Sequence, residues 1–371
     1  MKILLVGAGG YGTFYVQELL KNQREDVSWE GIVDPYIANA SEYENIKAAK
    51  IPVYNTMEEF YAQHDADLVL ISTPPFLHRE QCIKAVKHGA SVLCEKPAAP
   101  TLGEAEQMLE AERESGRFIA IGYQWSFSPA IQKLKRDILD GVLGAPVFFK
   151  TLISWPRNFA YYRRGGGWGG RIAKDGITVL DSIASNACAH YLHNMLFLVG
   201  EEMNKSARAE SVEGDCLRAN EIETFDTCTI RVRAKGVPML FVASHAAEAA
   251  KNPSFIYRFE KAEVRFSEED GVIRAIFSDG REICYGNPFE NNFRKIWDCV
   301  EALKAGTRPI CTVETAMEHT ALIGMLHEKL EYRDFDKSRV TLNEKEDGLC
   351  VKGLYEELLR AYGEEKLLSE L

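Results

Sequence analysis

The sequence lacks the features that would tie it to a membrane or to nucleic acid. No apolar run approaches the roughly 20 residues that a bilayer-spanning helix needs. The run Ile3–Val6 behind Met1-Lys2 is too short for a signal-peptide core, so a cytoplasmic protein is expected. Basic blocks are missing, and 44 Lys and Arg against 55 Asp and Glu give a net charge of −11. That balance disfavours non-specific binding to DNA or to anionic lipid. There is no CxxC among the nine cysteines, their number is odd, and several sit inside apolar runs. Reduced, mostly buried thiols are therefore expected instead of a disulfide framework. Internal repeats and low-complexity linkers are also absent. What is present is 371 residues at 46% hydrophobic content, which suggests two domains.

The first third alternates short apolar runs with helix-period segments. Ile3–Val6, Gly31–Val33, Leu68–Ser72, Val92–Cys94 and Phe118–Ile121 read as strands. Helices are expected from Gly12 to about Asn22 and over 56–64, 78–88 and 101–116, the last opened by a Thr101/Glu104 capping box. Strands apolar on both faces, alternating with helices, predict a doubly wound parallel sheet over residues 1–122. The period changes after that. A helix over 129–140, a strand over Phe148–Ile153 and a helix over Asn186–Val199 precede a series of strands between 227 and 285. Asp270-Gly271 and Asp279-Gly280 supply hairpin turns. Residues 123–371 are thus expected to form an α+β domain with a large, mostly antiparallel open sheet. Helices are expected near 289–304, 312–330 and 351–362, and the charged run 331–347 reads as a solvated loop.

Gly7, Gly9 and Gly12, with Gly10 and Tyr11 between them, match GxGxxG between a strand and a helix. The first glycine permits the tight turn, the second the approach of a pyrophosphate, and the third close helix–strand packing. The helix N-terminus favours the anion. Asp34 closes the second strand, 22 residues after Gly12. A carboxylate there accepts both ribose hydroxyls of NAD and repels a 2′-phosphate, which favours NAD over NADP; the alternative for Asp34-Pro35 is an ordinary turn.

Two further segments fall at C-terminal strand ends, where open α/β sheets bind ligands. Ser72-Thr73-Pro74 follows one strand, with His78 opening the next helix either as a nucleotide contact or as a cap. Glu95-Lys96-Pro97 follows the next strand and brings an ammonium to the sheet edge. Together with the segment Gly122-Tyr123-Gln124-Trp125-Ser126, these motifs resemble the glucose-fructose oxidoreductase/inositol dehydrogenase/MocA (Gfo/Idh/MocA) family. The resemblance covers most of the chain and is strongest over residues 1–150. It implies a Rossmann N-terminal domain and a cofactor site including Glu95, Lys96 and Gln124. It also implies that Lys96 lies beside the nicotinamide and binds the reacting hydroxyl.

The resemblance also implies a D-x-x-x-H-x-x-D pattern at the start of a helix in the second domain. Two placements exist. Asp181 as the first acid puts Ser185 at the His position, whereas Asn186, His190 and His193 match with Gly200 ten residues beyond His190. The second is preferred, because i, i+4 and i+7 share one helix face. Asn and His then stand where acids are usual in the family.

Residue types suggest the chemistry. Neutral His190 takes a hydroxyl proton, Lys96 stabilises the developing alkoxide, and Asn186 orients the substrate or the imidazole. Reading His190 and His193 as metal ligands lacks a third ligand, so no metal is expected. His245 either reaches the site or packs at the surface. The stretch 155–171 is rich in Trp, Tyr, Arg and Gly. Its aromatics, including Trp168, suit the C–H faces of a sugar, and Arg157, Arg163, Arg164 and Arg171 suit hydroxyls or a carboxylate; packing into the domain or a subunit interface is the rival reading. Trp125, Asp181 and His193 complete the expected substrate set.

The expectation is an NAD-dependent oxidoreductase acting on a secondary hydroxyl of a sugar, glycoside or cyclic polyol, as a homodimer or homotetramer. No nucleic-acid or membrane partner is expected. The rivals are an NAD-retaining glycosidase or lyase that oxidises the ring transiently, and a non-catalytic NAD-dependent sugar sensor.

Overall fold

Ile3, Leu4, Leu5 and Val6 are all buried, and a strand with no wet face belongs in the middle of a sheet. The computed structural model describes residues 1–267 and 269–371. It divides into two units, Met1–Phe127 with Asn291–Met317, and Ser128–Glu290 with Glu318–Leu371. The first unit therefore runs past the expected boundary at residue 122 and takes back a segment from the C-terminal third.

In the first unit β1 (Lys2–Val6), β2 (Ser28–Val33), β3 (Val53–Tyr54), β4 (Leu68–Ile71), β5 (Ser91–Cys94) and β6 (Ile119–Ile121) form one sheet. Its order is β3-β2-β1-β4-β5-β6, and every pairing is parallel. Helices α1 (Gly12–Lys21), α2 (Tyr43–Ala48), α3 (Met57–Tyr61), α4 (His78–Lys87), α5 (Leu102–Ser115) and α6 (Gln124–Phe127) connect or follow the strands. The strand order reverses between β1 and β4, where Val6 pairs with Ile71. That reversal opens a crevice at the C-terminal strand ends. Helix α5 starts where the sequence says: Thr101 Oγ1 accepts from the Glu104 amide at 3.3 Å, and Glu104 accepts from the Thr101 amide at 3.2 Å. It stops at Gly116, whose φ is +66°.

The second unit opens with α7 (Pro129–Leu139), β7 (Pro146–Ser154), α8 (Phe159–Gly167) and the short pair β8 (Ala173–Lys174) and β9 (Ile177–Thr178). Then come a π-helical turn over Ile183–Ala187 and α9 (Ala189–Leu198). Strands β10 (Ala209–Arg218), β11 (Thr227–Ala234), β12 (Val237–Ser244), β13 (Lys251–Phe259), β14 (Ala262–Phe266), β15 (Ile273–Phe277) and β16 (Glu282–Gly286) follow. Helix α10 (Arg294–Ala305) belongs to the first unit, and α11 (Val313–Lys329) leads back to the second. There β17 (Tyr332–Asp334), β18 (Val340–Asn343), β19 (Gly348–Val351) and α12 (Leu354–Glu364) follow, and a short 3-10 turn over Leu368–Glu370 comes last.

The large sheet runs β16-β15-β14-β13-β7-β12-β11-β10-β17. Only β7 with β12 and β10 with β17 pair in parallel, so the mostly antiparallel reading holds. Leu152, Leu240 and Val242 pack with Leu354 and Leu358 of α12. On the β7–β13 region, the Tyr257 hydroxyl meets both Thr151 of β7 and Asn194 of α9.

Two expectations change. The charged run 331–347 is not simply a loop: Tyr332 pairs with Cys216, and Val340 pairs with Val351. Strands this short carry no period-2 signal. The expected helix over 186–199 is instead a π turn followed by α9, because the Cys188 amide reaches the Ile183 carbonyl five residues back at 2.9 Å.

Removing the α5 cap tests the first unit. Thr101→Ala should cost about 1 kcal/mol in urea unfolding, and a change below about 0.3 kcal/mol would show that the cap contributes little.

Candidate active site

The glycine loop is shaped by close contacts at its ends and open space at its centre. Gly7 has φ +87°, and a Cβ there would sit 3.0 Å from the Ser72 carbonyl oxygen. A Cβ on Gly12 would lie 2.2 Å from the Gly7 carbonyl oxygen, so that position must be glycine. At Gly9 and Gly10 nothing lies within 4 Å of the corresponding point. No side chain caps the N-terminus of α1. An open glycine backbone leading into an uncapped helix start fits a dinucleotide pyrophosphate. Asp34 braces this loop: its Oδ2 accepts from the Ala8 amide at 2.9 Å and its Oδ1 from the Tyr36 amide at 2.8 Å. The half-buried carboxylate keeps lone pairs for further donors. Tyr36, 74% exposed, stands two residues beyond it, an aromatic that the motif reading passed over.

His78 is fully buried, with Nδ1 2.9 Å from the Pro97 carbonyl oxygen and Nε2 2.9 Å from that of Thr73. Burial holds its pKa below the ordinary value, against the pull of those two carbonyls. It joins the loops after β4 and β5, and its enclosure removes it from the cofactor-facing set. Thr73 is held in turn by Gln81 at 2.5 Å.

Glu95 also points inward. It is 5% exposed, and Oε1 accepts from Lys295 Nζ at 2.5 Å and from the Tyr15 hydroxyl at 2.5 Å. A Cβ on Gly122 would come within 2.7 Å of the same oxygen. Lys295, on α10, is 1% exposed; it donates to the Tyr11 hydroxyl at 3.3 Å and lies 4.6 Å from the Tyr11 ring centroid. Burial alone would lower the Lys295 pKa, but the Glu95 carboxylate and Tyr11 outweigh it and raise the value. Glu95 is thus an anchor, where the sequence suggested a cofactor contact. Tyr11 donates on to Gln124 at 3.3 Å. Lys96 is half-buried at the end of β5, its amide 3.3 Å from Glu95 Oε2 and its bond to Pro97 cis. Trp125, 1% exposed, is a packing residue and not a pocket wall. Lys295 escaped sequence reading because it lies on the same stripe as the buried Cys299 and Ala302 of an amphipathic helix. A lysine on an apolar stripe was the available signal.

In the second unit Asp181 gathers the substrate candidates. Only 5% exposed, it accepts from Asn186 Nδ2 at 2.9 Å, the Gly170 amide at 2.7 Å and Arg164 at 3.4 Å. The two rival motif placements, Asp181 and Asn186, therefore meet through a hydrogen bond. The π turn means that Asn186 and His190 do not lie along one α-helix, so the i, i+4 argument fails although both remain partly exposed. His193 is 1% exposed and stacks on Phe197. Burial, reinforced by His319 and Lys135, holds its pKa well below the ordinary value, and the ring belongs to the core instead of the substrate set. His190 lies edge-on to Tyr191, which in turn meets Trp155 at 5.7 Å.

The segment 155–171 is a tight fold. Asn158 caps α8 through the Tyr161 amide at 2.9 Å, and Gly165, Gly166 and Gly167 all take positive φ. Arg164 lies 3.8 Å from the Tyr161 ring centroid and 4.1 Å from that of Trp168, which is buried. Arg171 pairs with Glu223 at 2.7 Å, and Arg163 is exposed. His245 is 2% exposed, so it is not a surface residue. Among the described residues no cluster of three or more His, Cys, Asp or Glu could hold a metal, and no helix is long and apolar enough to cross a membrane.

Residues 1–123 match the family described as GFO_IDH_MocA, oxidoreductase family, NAD-binding Rossmann fold. The chain is 32% identical over 96 residues to a 2,7-anhydro-N-acetylneuraminate hydratase of Mediterraneibacter gnavus, covering 26% of each chain. It is 30% identical over 147 residues to an inositol 2-dehydrogenase of Renibacterium salmoninarum, covering 39% of this chain and 43% of that one. The matched segments thus span less than half of these curated relatives. Among solved structures, the WlbA dehydrogenase of Bordetella pertussis, crystallised with NADH and UDP-GlcNAcA, superposes with a TM-score of 0.71 at 20% identity. The match covers 88% of this chain and 95% of that one, and the two share a fold.

Lys295→Met should destabilise the protein by about 3–5 kcal/mol in equilibrium unfolding, because it leaves Glu95 buried without its cation. Adding Glu95→Gln should restore most of the loss. A single variant within about 1 kcal/mol of the parent would refute the anchoring role.

Proposed function

We propose that this chain, a member of the Gfo/Idh/MocA oxidoreductase family, is an NAD-dependent oxidoreductase acting on a secondary hydroxyl of a sugar, glycoside or cyclic polyol. One observation carries the reading: Lys96 lies two residues beyond β5 in the same unit as the glycine loop, and the residue before it is clamped by Lys295 and Tyr15. An ammonium presented in this way suits the stabilisation of a developing alkoxide.

Each side chain then has a task. The Gly9–Gly10 backbone receives the pyrophosphate, while Asp34 takes the ribose hydroxyls and repels a 2′-phosphate. Bound NAD supplies the hydride acceptor. Lys96 donates to the substrate oxygen. His190 receives the hydroxyl proton as an imidazole base. Asn186, held by Asp181, orients the substrate or the imidazole.

A second reading has specific support, since one relative is named a hydratase. In that reading the substrate is oxidised transiently, loses or gains a group, and recovers its hydride, so NAD is retained. The two differ in whether NADH accumulates during turnover.

Lys96→Met and His190→Ala should each lower turnover by more than about 10². Near-normal rates in either would sink the assignment. Asp34→Ala should weaken NAD binding and narrow its advantage over NADP in titrations of the intact protein; unchanged affinity for both would remove Asp34 from the site.

A further inference from the structure

The arginines of 155–171 separate by partner. Arg164 is matched by Asp181, Arg171 by Glu223, and Arg163 faces solvent. Arg157 differs. Among the described residues its guanidinium has aromatic neighbours and no carboxylate, lying 5.5 Å from the Trp155 ring centroid and 5.1 Å from that of Tyr161. Its Nε is buried with no hydrogen-bond acceptor, although the residue as a whole is half-exposed. The indole beside it is fixed by a 2.9 Å bond to Asn252.

His245 is the adjoining group, its carbonyl accepting from the Arg157 amide at 3.2 Å. Its Nδ1 lies 2.8 Å from the Trp155 carbonyl oxygen. A carbonyl only accepts, so Nδ1 carries the proton and Nε2 is a bare lone pair. Burial first, then the Arg157 charge, keeps the ring neutral. Nε2 is buried and has no donor, and the ring lies edge-on to Tyr161 at 5.4 Å. A cation without an acceptor and an acceptor without a donor therefore flank the same tyrosine. Either orphan alone would be a cost to the fold.

We propose that Arg157 and His245 form a subsite for a carboxylate that carries a neighbouring hydroxyl, so that the substrate is a sugar acid and not a neutral sugar. The carboxylate accepts from the Arg157 guanidinium, and the hydroxyl donates to His245 Nε2. A neutral polyol satisfies the imidazole but leaves the guanidinium uncompensated. An amide matches donor and acceptor but not charge. The inference names the substrate class of the proposed oxidoreductase and rests on that reading only for what happens after binding.

The test is calorimetric titration of the intact NAD-loaded protein with matched pairs: D-glucuronate and D-glucose, D-galacturonate and D-galactose, D-gluconate and D-glucitol. At least one acid should bind about tenfold or more tighter than its neutral partner. Arg157→Gln should abolish that preference and leave the neutral member within about twofold, whereas Arg157→Lys should keep part of it. His245→Gln should weaken the acid's binding. Equal or tighter binding of the neutral member in every pair overturns the proposal. So does failure of every acid to bind, or an intact preference in Arg157→Gln. Should that variant not fold, the parent pairs and Arg157→Lys decide. Binding of acids without hydride transfer would refute the oxidoreductase reading and leave the subsite standing.

Discussion

The ion pair between Glu95 and Lys295 is the constraint on which the first unit's site depends. It joins the end of β5 to α10, and through Tyr15 and Tyr11 it reaches α1 and the glycine loop. Gly122, the residue after β6, leaves space for the carboxylate. A buried pair adds little net stability over an apolar substitute, because desolvation offsets the attraction. Its value here is positional. The carboxylate cannot turn outward, and the lysine that follows it is presented in one place.

The second unit uses a different device. Asp181 accepts from a backbone amide, an amide side chain and a guanidinium, and so fixes Asn186 and the Arg164 stack at once. Both halves thus rely on an inward-facing carboxylate that holds a neighbour in position. In the first unit the neighbour held is the backbone amide of Lys96; in the second it is a neutral side-chain amide. Among the described residues, Arg157 has aromatic neighbours and no carboxylate.

Much of this was legible in the sequence, for identifiable reasons. Tight turns demand glycine, so Gly7 and Gly12 declared the loop. Burial on both faces declared β1, β4 and β5, and the Thr101/Glu104 pair marked the start of α5. The roles of Glu95, His78 and Trp125 were not legible, because a motif states that a residue matters and not which way it faces. The π turn was invisible because Ser182 to His190 reads equally well as regular helix. Lys295 is some two hundred positions from its partner in the chain, and no local pattern links such residues. Strands β17 and β18 escaped because runs of three or four residues carry no periodicity.

The return of residues 291–317 to the first unit has a consequence for synthesis. Glu95 leaves the ribosome long before Lys295 does. At about 5–20 residues per second, roughly ten to thirty seconds separate the completion of residue 127 from the arrival of Lys295. Throughout that interval the nascent sheet holds a carboxylate with no cation to meet it. The N-terminal unit is therefore finished among the last, although it is made first. A chain cut at residue 127 would be a fragment missing its keystone, not an independent nucleotide-binding module.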